Sequence, residues 1–94
     1  MESEDEEYFS GSYQFRSDEP IEAFIDLAKF HCNDSFIPEW DIERSDTGLT
    51  VFNDIKLDFE KDDDYVTFNY EYPIHSVRGR DICESIYNEI SNHY

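Results

Sequence analysis

Apolar side chains recur at every second position, broken only by Asn53, through two stretches in the middle of this chain. They are Leu49, Val51, Ile55, Leu57 and Phe59 in the first stretch, and Val66, Phe68, Tyr70 and Tyr72 in the second. Successive side chains of a strand point to opposite faces, so a period of two predicts strands with one buried face and one polar face. The first stretch forms either one long strand or two short strands divided at Asn53 and Asp54.

Two further segments show strand patterns. Residues 8–16 alternate apolar and polar side chains, and Gly11 inside them is typical of a bulge. Trp40 and Ile42 alternate with acidic residues and predict a short strand. The segment 45–48, Ser-Asp-Thr-Gly, has the composition of a hairpin turn to the next strand.

Two segments have helical periodicity instead. Ser17 or Asp18 is expected to cap a helix that begins at Pro20, and Ser76 is expected to cap a second helix. The apolar stripes of these helices are Ile21, Phe24, Ile25, Ala28 and Cys32 in the first, and Ile82, Cys83, Ile86 and Ile90 in the second. The two cysteines are therefore predicted to be reduced, buried thiols.

The element order is β-α-β-β-β-α, which predicts an α+β fold. Strands joined by short turns and two amphipathic helices form a single two-layer domain, with an antiparallel sheet and both helices on one face. A length of 94 residues allows one domain. We expect a flexible acidic leader at residues 1–7, followed by the domain at 8–94, whose core is supplied by eight Phe, seven Tyr and one Trp.

The charge of the chain is strongly negative and unevenly placed. It has 24 Asp and Glu against seven Lys and Arg, a formal charge of -17. Residues 1–72 hold 21 of the carboxylates, whereas residues 73–94 hold three. Such a field repels itself, keeps the chain in solution and steers it toward positive surfaces. A cationic partner is therefore expected.

The sequence does not indicate an enzyme, a metal site or a cofactor. No pair of carboxylates is set apart by apolar surroundings that would separate two pKa values. Asp62, Asp63 and Asp64 offer the oxygen ligands that Ca²⁺ and Mg²⁺ prefer, yet the EF-hand spacing is absent. Gly11, Gly48 and Gly79 are isolated, so there is no glycine-rich phosphate loop.

Direct nucleic-acid binding is also not expected, because a polyanion would be repelled by this surface. No stretch approaches the ~18 apolar residues of a membrane span, and residues 2–7 are unlike the basic start of a signal peptide. The expected location is the cytoplasm, with no membrane partner.

The acidic surface itself is the remaining candidate site. A groove that binds duplex DNA is lined with Lys and Arg side chains that match one negative charge per ~1.7 Å of helix axis. Carboxylates two residues apart on a strand lie ~6.8 Å from each other, and a helical i,i+4 pair is ~6 Å apart along the axis. Rows of such groups imitate phosphates. The candidate partner-binding residues are Asp18, Glu19, Glu22, Asp26, Glu39, Asp41, Glu43, Asp58, Glu60, Asp62, Asp63, Asp64 and Glu71.

In size, charge and lack of catalytic residues, the chain resembles the small phage-encoded DNA mimics that block restriction enzymes, CRISPR effectors or repair glycosylases. The resemblance implies a non-enzymatic inhibitor that occupies the nucleic-acid site of a basic host protein, such as a nuclease or defence effector, in the host cytoplasm. The alternative is an immunity protein or antitoxin that neutralises a basic nuclease toxin. Composition does not separate the two, because both need an acidic face with aromatic anchors.

Overall fold

The computed structural model describes residues 7–94, so most of the leader expected at residues 1–7 lies outside the described residues. The elements are β1 (Tyr8–Arg16), α1 (Ile21–Asp34), a 3₁₀ helix (Glu39–Asp41), β2 (Ile42–Arg44), β3 (Gly48–Val51), β4 (Ile55–Asp62), β5 (Tyr65–Pro73) and α2 (Val77–His93). The predicted α+β class and element order are confirmed. Of the two alternatives for residues 49–59, the pair of short strands is the observed one.

The strands form one antiparallel sheet in the order β1-β5-β4-β3-β2. β1 and β2 lie at opposite edges because α1 carries the chain across one sheet face between them. β2 to β5 then return by successive hairpins until β5 pairs with β1. In this arrangement the β2–β3 turn, the β4–β5 turn and the β1–α1 connection all lie at the same end of the sheet.

β1 pairs with β5 without interruption from Tyr8↔Pro73 to Arg16↔Tyr65. The bulge expected at Gly11 is therefore wrong. Gly11 has a different role, because a Cβ atom at this position would lie 2.5 Å from the hydroxyl oxygen of Tyr70. The glycine leaves the space that the Tyr70 side chain occupies.

Both helices pack on the same face of the sheet. A row of aromatic rings joins the layers, with centroid distances of 5.1 Å for Phe15–Phe24, 5.9 Å for Phe24–Phe59 and 5.0 Å for Phe59–Phe68. Replacing one such buried Phe with Ala typically costs ~3–5 kcal/mol of unfolding free energy. Cys32 and Cys83 are free thiols in this core, and burial raises their pKa values to about 11 and about 12. Neither is a reactive thiolate at neutral pH.

Only one of the two predicted helix caps is observed. Ser76 caps α2 as expected, since its Oγ accepts a hydrogen bond from the Gly79 amide at 3.0 Å. The cap expected from Ser17 or Asp18 is wrong, because α1 begins after Pro20 and Ser17 Oγ accepts from the Glu19 amide instead. Neither α1 nor α2 is long and apolar enough to cross a membrane, and the same holds for every helix within residues 7–94.

The short strand expected from Trp40 begins later than predicted. Trp40 lies in the 3₁₀ helix, where the Asp41 amide donates to the carbonyl oxygen of Pro38 at 3.0 Å. β2 begins only at Ile42, and this residue pairs with Val51 of β3. The turn leaves the Trp40 side chain 85% exposed, so the aromatic ring does not join the core that the alternation had assigned to it.

Candidate partner-binding surface

Four chain segments bring nine carboxylates to one end of the sheet. These segments are the β1–α1 connection with the first turn of α1, the β2–β3 turn, the end of β4, and the β4–β5 turn. We call this surface the acidic end, and it consists of Asp18, Glu19, Glu22, Asp46, Asp58, Glu60, Asp62, Asp63 and Asp64. All of these residues are exposed except Asp58, which is half-buried.

Hydrogen bonds hold the four segments against one another. The Ser17 amide donates to the carbonyl oxygen of Asp64 at 2.8 Å, which joins the β1–α1 connection to the β4–β5 turn. The Phe59 amide donates to the carbonyl oxygen of Thr47 at 2.8 Å, and the Thr47 hydroxyl donates to the Asp58 carboxylate. The carboxylates are therefore carried by a bonded framework rather than by free loops.

Tyr94, the residue that follows α2, also reaches this end. The Tyr94 hydroxyl donates to Oε2 of Glu19 at 2.6 Å, and this hydrogen bond is the main reason why the pKa of Tyr94 is raised above its usual value. The Tyr94 ring packs on Phe15 and Phe24 at centroid distances of 5.2 and 5.5 Å. The second helix thus fixes the position of one carboxylate of the acidic end.

Two cationic side chains lie among these acids, and both are engaged elsewhere. The Arg16 guanidinium lies over the Tyr65 ring, 5.3 Å from its centroid. The Lys61 ammonium donates to the backbone carbonyl oxygen of Glu19 at 2.8 Å. Within residues 7–94, neither forms an ion pair with a carboxylate. The negative charge of the acidic end is therefore largely uncompensated.

The other predicted site residues lie away from the acidic end. Asp26, in the middle of α1, forms a 2.7 Å ion pair with Arg44. Glu39 forms a 2.8 Å pair with Lys29, whose hydrogen bond and charge lower the pKa of Glu39. The remaining three are Asp41 in the 3₁₀ helix, Glu43 on β2, and Glu71, which faces Lys56 across the sheet. The structure thus places eight of the thirteen predicted residues together.

Sequence reasoning missed Asp46, which joins the acidic end through the β2–β3 turn. The sequence did contain a signal, because this residue lies in the Ser-Asp-Thr-Gly segment that predicts a hairpin turn. Combining that turn with the antiparallel order of the strands places it beside the end of β4. A single strand pattern does not contain this information.

The opposite end of the sheet is aromatic. Phe36 is 93% exposed and Trp40 is 85% exposed, and Val77 is also exposed at the start of α2. Phe52 connects them, because its amide donates to the Asp41 carbonyl oxygen at 2.8 Å and Arg78 lies 5.3 Å from its ring centroid. We call Phe36, Trp40, Phe52 and Val77 the aromatic end.

The described residues contain little that resembles a catalytic or metal centre. In residues 7–94, no group of three His, Cys, Asp or Glu side chains is arranged to hold a metal ion. His31 and His93 both lie beside Glu89, at 3.5 and 2.7 Å. The His31 contact joins α1 to α2, whereas the His93 contact lies within α2.

No protein-family model, curated protein or solved structure matches this chain.

Proposed function

We propose that this protein is a non-enzymatic inhibitor that imitates nucleic acid and occupies the basic nucleic-acid-binding site of another protein. The observation that carries the proposal is the acidic end, where nine carboxylates from four segments lie at one end of the sheet with two cations that pair with none of them. A surface of one sign focuses its field and accelerates association with a surface of the opposite sign.

The spacing of the carboxylates supports the same function. Asp58 and Glu60 lie on the open face of β4, two residues apart, which is ~6.8 Å along a strand. Asp62 continues this row, and the β4–β5 turn extends it beyond the end of the sheet. A basic groove built for phosphates at regular intervals can bind such a row through charge-assisted contacts.

The partner in this proposal is a basic nucleic-acid-binding protein, such as a nuclease or a defence effector. Binding takes place in the cytoplasm, which is the host cytoplasm if the chain is encoded by a phage. Direct contact with nucleic acid is not part of the proposed function, because the acidic end repels phosphates.

One observation favours the alternative function, an immunity protein or antitoxin that neutralises a basic nuclease toxin. Trp40 and Phe36 are almost fully exposed at the aromatic end. Exposed aromatic residues are typical anchors of tight protein interfaces, and imitation of phosphates does not require them. An inhibitor that binds through the aromatic end alone would fit this alternative better.

Capture of basic proteins from a bacterial lysate, with and without competing duplex DNA, tests the proposal. The first variant reverses three charges of the acidic end, Asp18→Lys, Glu60→Lys and Asp62→Lys. The matched control has the same net charge and reverses three exposed acids elsewhere, Asp34→Lys, Asp81→Lys and Glu84→Lys.

We expect the unmodified protein and the control to retain nucleic-acid-binding proteins that DNA displaces, and the acidic-end variant to lose them. Affinity should also fall steeply with added salt, because exposed charges are screened within ~8 Å at physiological ionic strength. Equal capture by both variants would show that the acidic end has no special role. Capture that DNA does not displace would contradict imitation of nucleic acid.

A further inference from the structure

The outer edge of β1 is long and bears almost no charge. Within residues 7–94, β1 pairs only with β5, so its other edge has no strand partner. From Phe9 to Gln14 the strand contains no Lys, Arg, Asp, Glu or Pro. Natural proteins usually protect such an edge with charges, proline or a covering segment. The opposite edge strand, β2, is three residues long and carries Glu43 and Arg44.

The hydrogen-bond pattern identifies the free groups. The Ile74 amide donates to the Glu7 carbonyl oxygen, and the Ser17 amide donates to the Asp64 carbonyl oxygen. In an antiparallel ladder the residues of one strand alternate between bonding inward and pointing outward. Phe9, Gly11, Tyr13 and Phe15 therefore bond to β5, and the amides and carbonyls of Ser10, Ser12 and Gln14 point outward.

The charges around this edge select its occupant. One end of β1 is preceded by Glu7, and the other end lies beside the acidic end. Arg16, the one cation of the strand, lies over Tyr65 of β5. In an antiparallel pairing with a second copy, Glu7 would approach Asp18 and Glu19 of that copy. A strand with Lys or Arg at both ends would instead find carboxylates at both ends.

We propose that the β1 edge binds an extended, basic segment of the partner protein by adding it to the sheet as a sixth strand. Main-chain hydrogen bonds to Ser10, Ser12 and Gln14 supply the pairing, and the flanking carboxylates select cationic residues. This inference rests on the proposed function for the cationic nature of the partner. It adds a defined contact that imitation of phosphates does not require.

A synthetic peptide tests the edge without any nucleic-acid-binding protein. The probe is Lys-Lys-Thr-Val-Thr-Val-Thr-Lys-Lys, and the control peptide has the same sequence with alternate backbone amides methylated so that they cannot donate. Binding is followed by amide hydrogen exchange of the full chain and by titration. The protein variants are Ser12→Pro, which removes one outward amide, and Ser12→Thr, which retains it.

In the free protein, we expect the amides of Ser10, Ser12 and Gln14 to exchange quickly and those of Gly11 and Tyr13 slowly. The probe should protect the three outward amides. Its affinity should fall at least tenfold on methylation of the peptide or with Ser12→Pro, and should persist with Ser12→Thr. Proline is tolerated where the lost amide faces solvent at an edge. If Ser12→Pro nevertheless fails to fold, the comparison of the methylated and unmethylated peptides tests the main-chain pairing by itself.

Equal binding of the two peptides would overturn the inference, because attraction would then be purely electrostatic. Protection of the outward amides that grows with protein concentration alone would also overturn it, in favour of a second copy as occupant. Either result leaves the DNA-displaced capture described above unaffected. If DNA-displaced capture fails while the peptide still pairs with β1, the imitation of nucleic acid is contradicted and the inference about the β1 edge stands.

Discussion

The two ends of the sheet differ in how their side chains are held. At the acidic end, backbone hydrogen bonds such as Ser17 to Asp64 and Phe59 to Thr47 tie separate segments together. At the aromatic end, Phe36 and Trp40 protrude from a loop and a 3₁₀ turn and are almost fully exposed. Charge is thus concentrated where the hairpin turns and the β1–α1 connection meet, and exposed apolar surface where the chain makes its least regular connection.

This difference shows that one small domain carries two kinds of binding chemistry on separate surfaces. Charged surfaces mainly accelerate association, whereas buried aromatic anchors mainly slow dissociation. Since the two surfaces lie at opposite ends of the same strands, substitutions at one end should leave the other intact. Variants of one end can therefore be compared with variants of the other.

The largest expected effect is loss of stability from Gly48→Ala at the acidic end. A Cβ atom here would lie 1.9 Å from the Leu57 carbonyl oxygen and 2.8 Å from the Asp58 Cα atom, which are backbone atoms that cannot rotate away. We expect a loss of about 3 kcal/mol or more in unfolding free energy, measured by urea denaturation.

Gly79→Ala, on the α2 side that meets the aromatic end, is the comparison for this variant. Its Cβ would meet side-chain atoms instead, at 2.8 Å from Tyr72 Cβ and 3.0 Å from Ser76 Oγ. Alanine gains about 1 kcal/mol of helix propensity over glycine, which offsets part of the crowding. Tyr72 Cβ is fixed to the strand backbone, so part of the crowding remains, and we expect a net loss of about 1–2 kcal/mol. An equal loss at both positions would contradict the tighter framework of the acidic end.

A smaller effect is expected from Tyr94→Phe, which removes the hydrogen bond to Glu19. The loss should be about 1 kcal/mol at neutral pH, the usual size for such a bond. Because the folded state raises the pKa of Tyr94, this stabilisation is complete below the unfolded value near ~10 and is lost as the pH rises through the raised value. Denaturation curves of both proteins should therefore begin to converge as the pH rises past ~10 and should coincide above the raised pKa. A difference that persists there would assign the effect to ring packing.

A modest gain of stability is expected from Asp63→Asn. Asp63 adopts a φ of 56°, a conformation that Asn also tolerates, so the substitution removes a charge without new strain. We expect a gain of about 0.5 kcal/mol at low salt that shrinks as salt is added. Asp81→Asn, outside the acidic end, is the control and should change little. A loss of stability with Asp63→Asn would show that this carboxylate makes a favourable local contact.

The smallest effect on folding is expected at the aromatic end. Trp40→Ala and Phe36→Ala remove side chains with little packing in the folded chain, so the unfolding free energy should change by less than about 0.5 kcal/mol. Partner capture is the sharper measurement. If both variants fold normally yet lose a partner that DNA does not displace, the aromatic end is the main interface, which favours the immunity-protein alternative.

The sequence already contains the main features of the fold. The period of two in residues 49–72 and the helical stripes of α1 and α2 predict the α+β class, the element order and which faces are buried. These features are local, because burial of one face imposes a repeat on neighbouring residues. The cap at Ser76 is local too, and it was correctly predicted.

At two glycines a distant segment decides the local structure. Gly11 looks like a bulge in isolation, but the Tyr70 side chain from β5 requires the small residue there. Gly48 looks like a turn glycine, yet no glycine in residues 7–94 has a positive φ, and its small size serves the close approach of β4. A strand pattern contains no information about what its neighbour places against it.

The sequence alone also determined that the surface is strongly acidic, since composition sets net charge. Only the tertiary structure decided which acids are neutralised and which accumulate. Asp26 and Glu39 find cations at 2.7 and 2.8 Å, whereas Asp18 and Asp62 join seven other carboxylates at one end. The physical reason is that charge interactions depend on distances in space, and those distances are set by hairpin turns that bring together residues far apart in the chain.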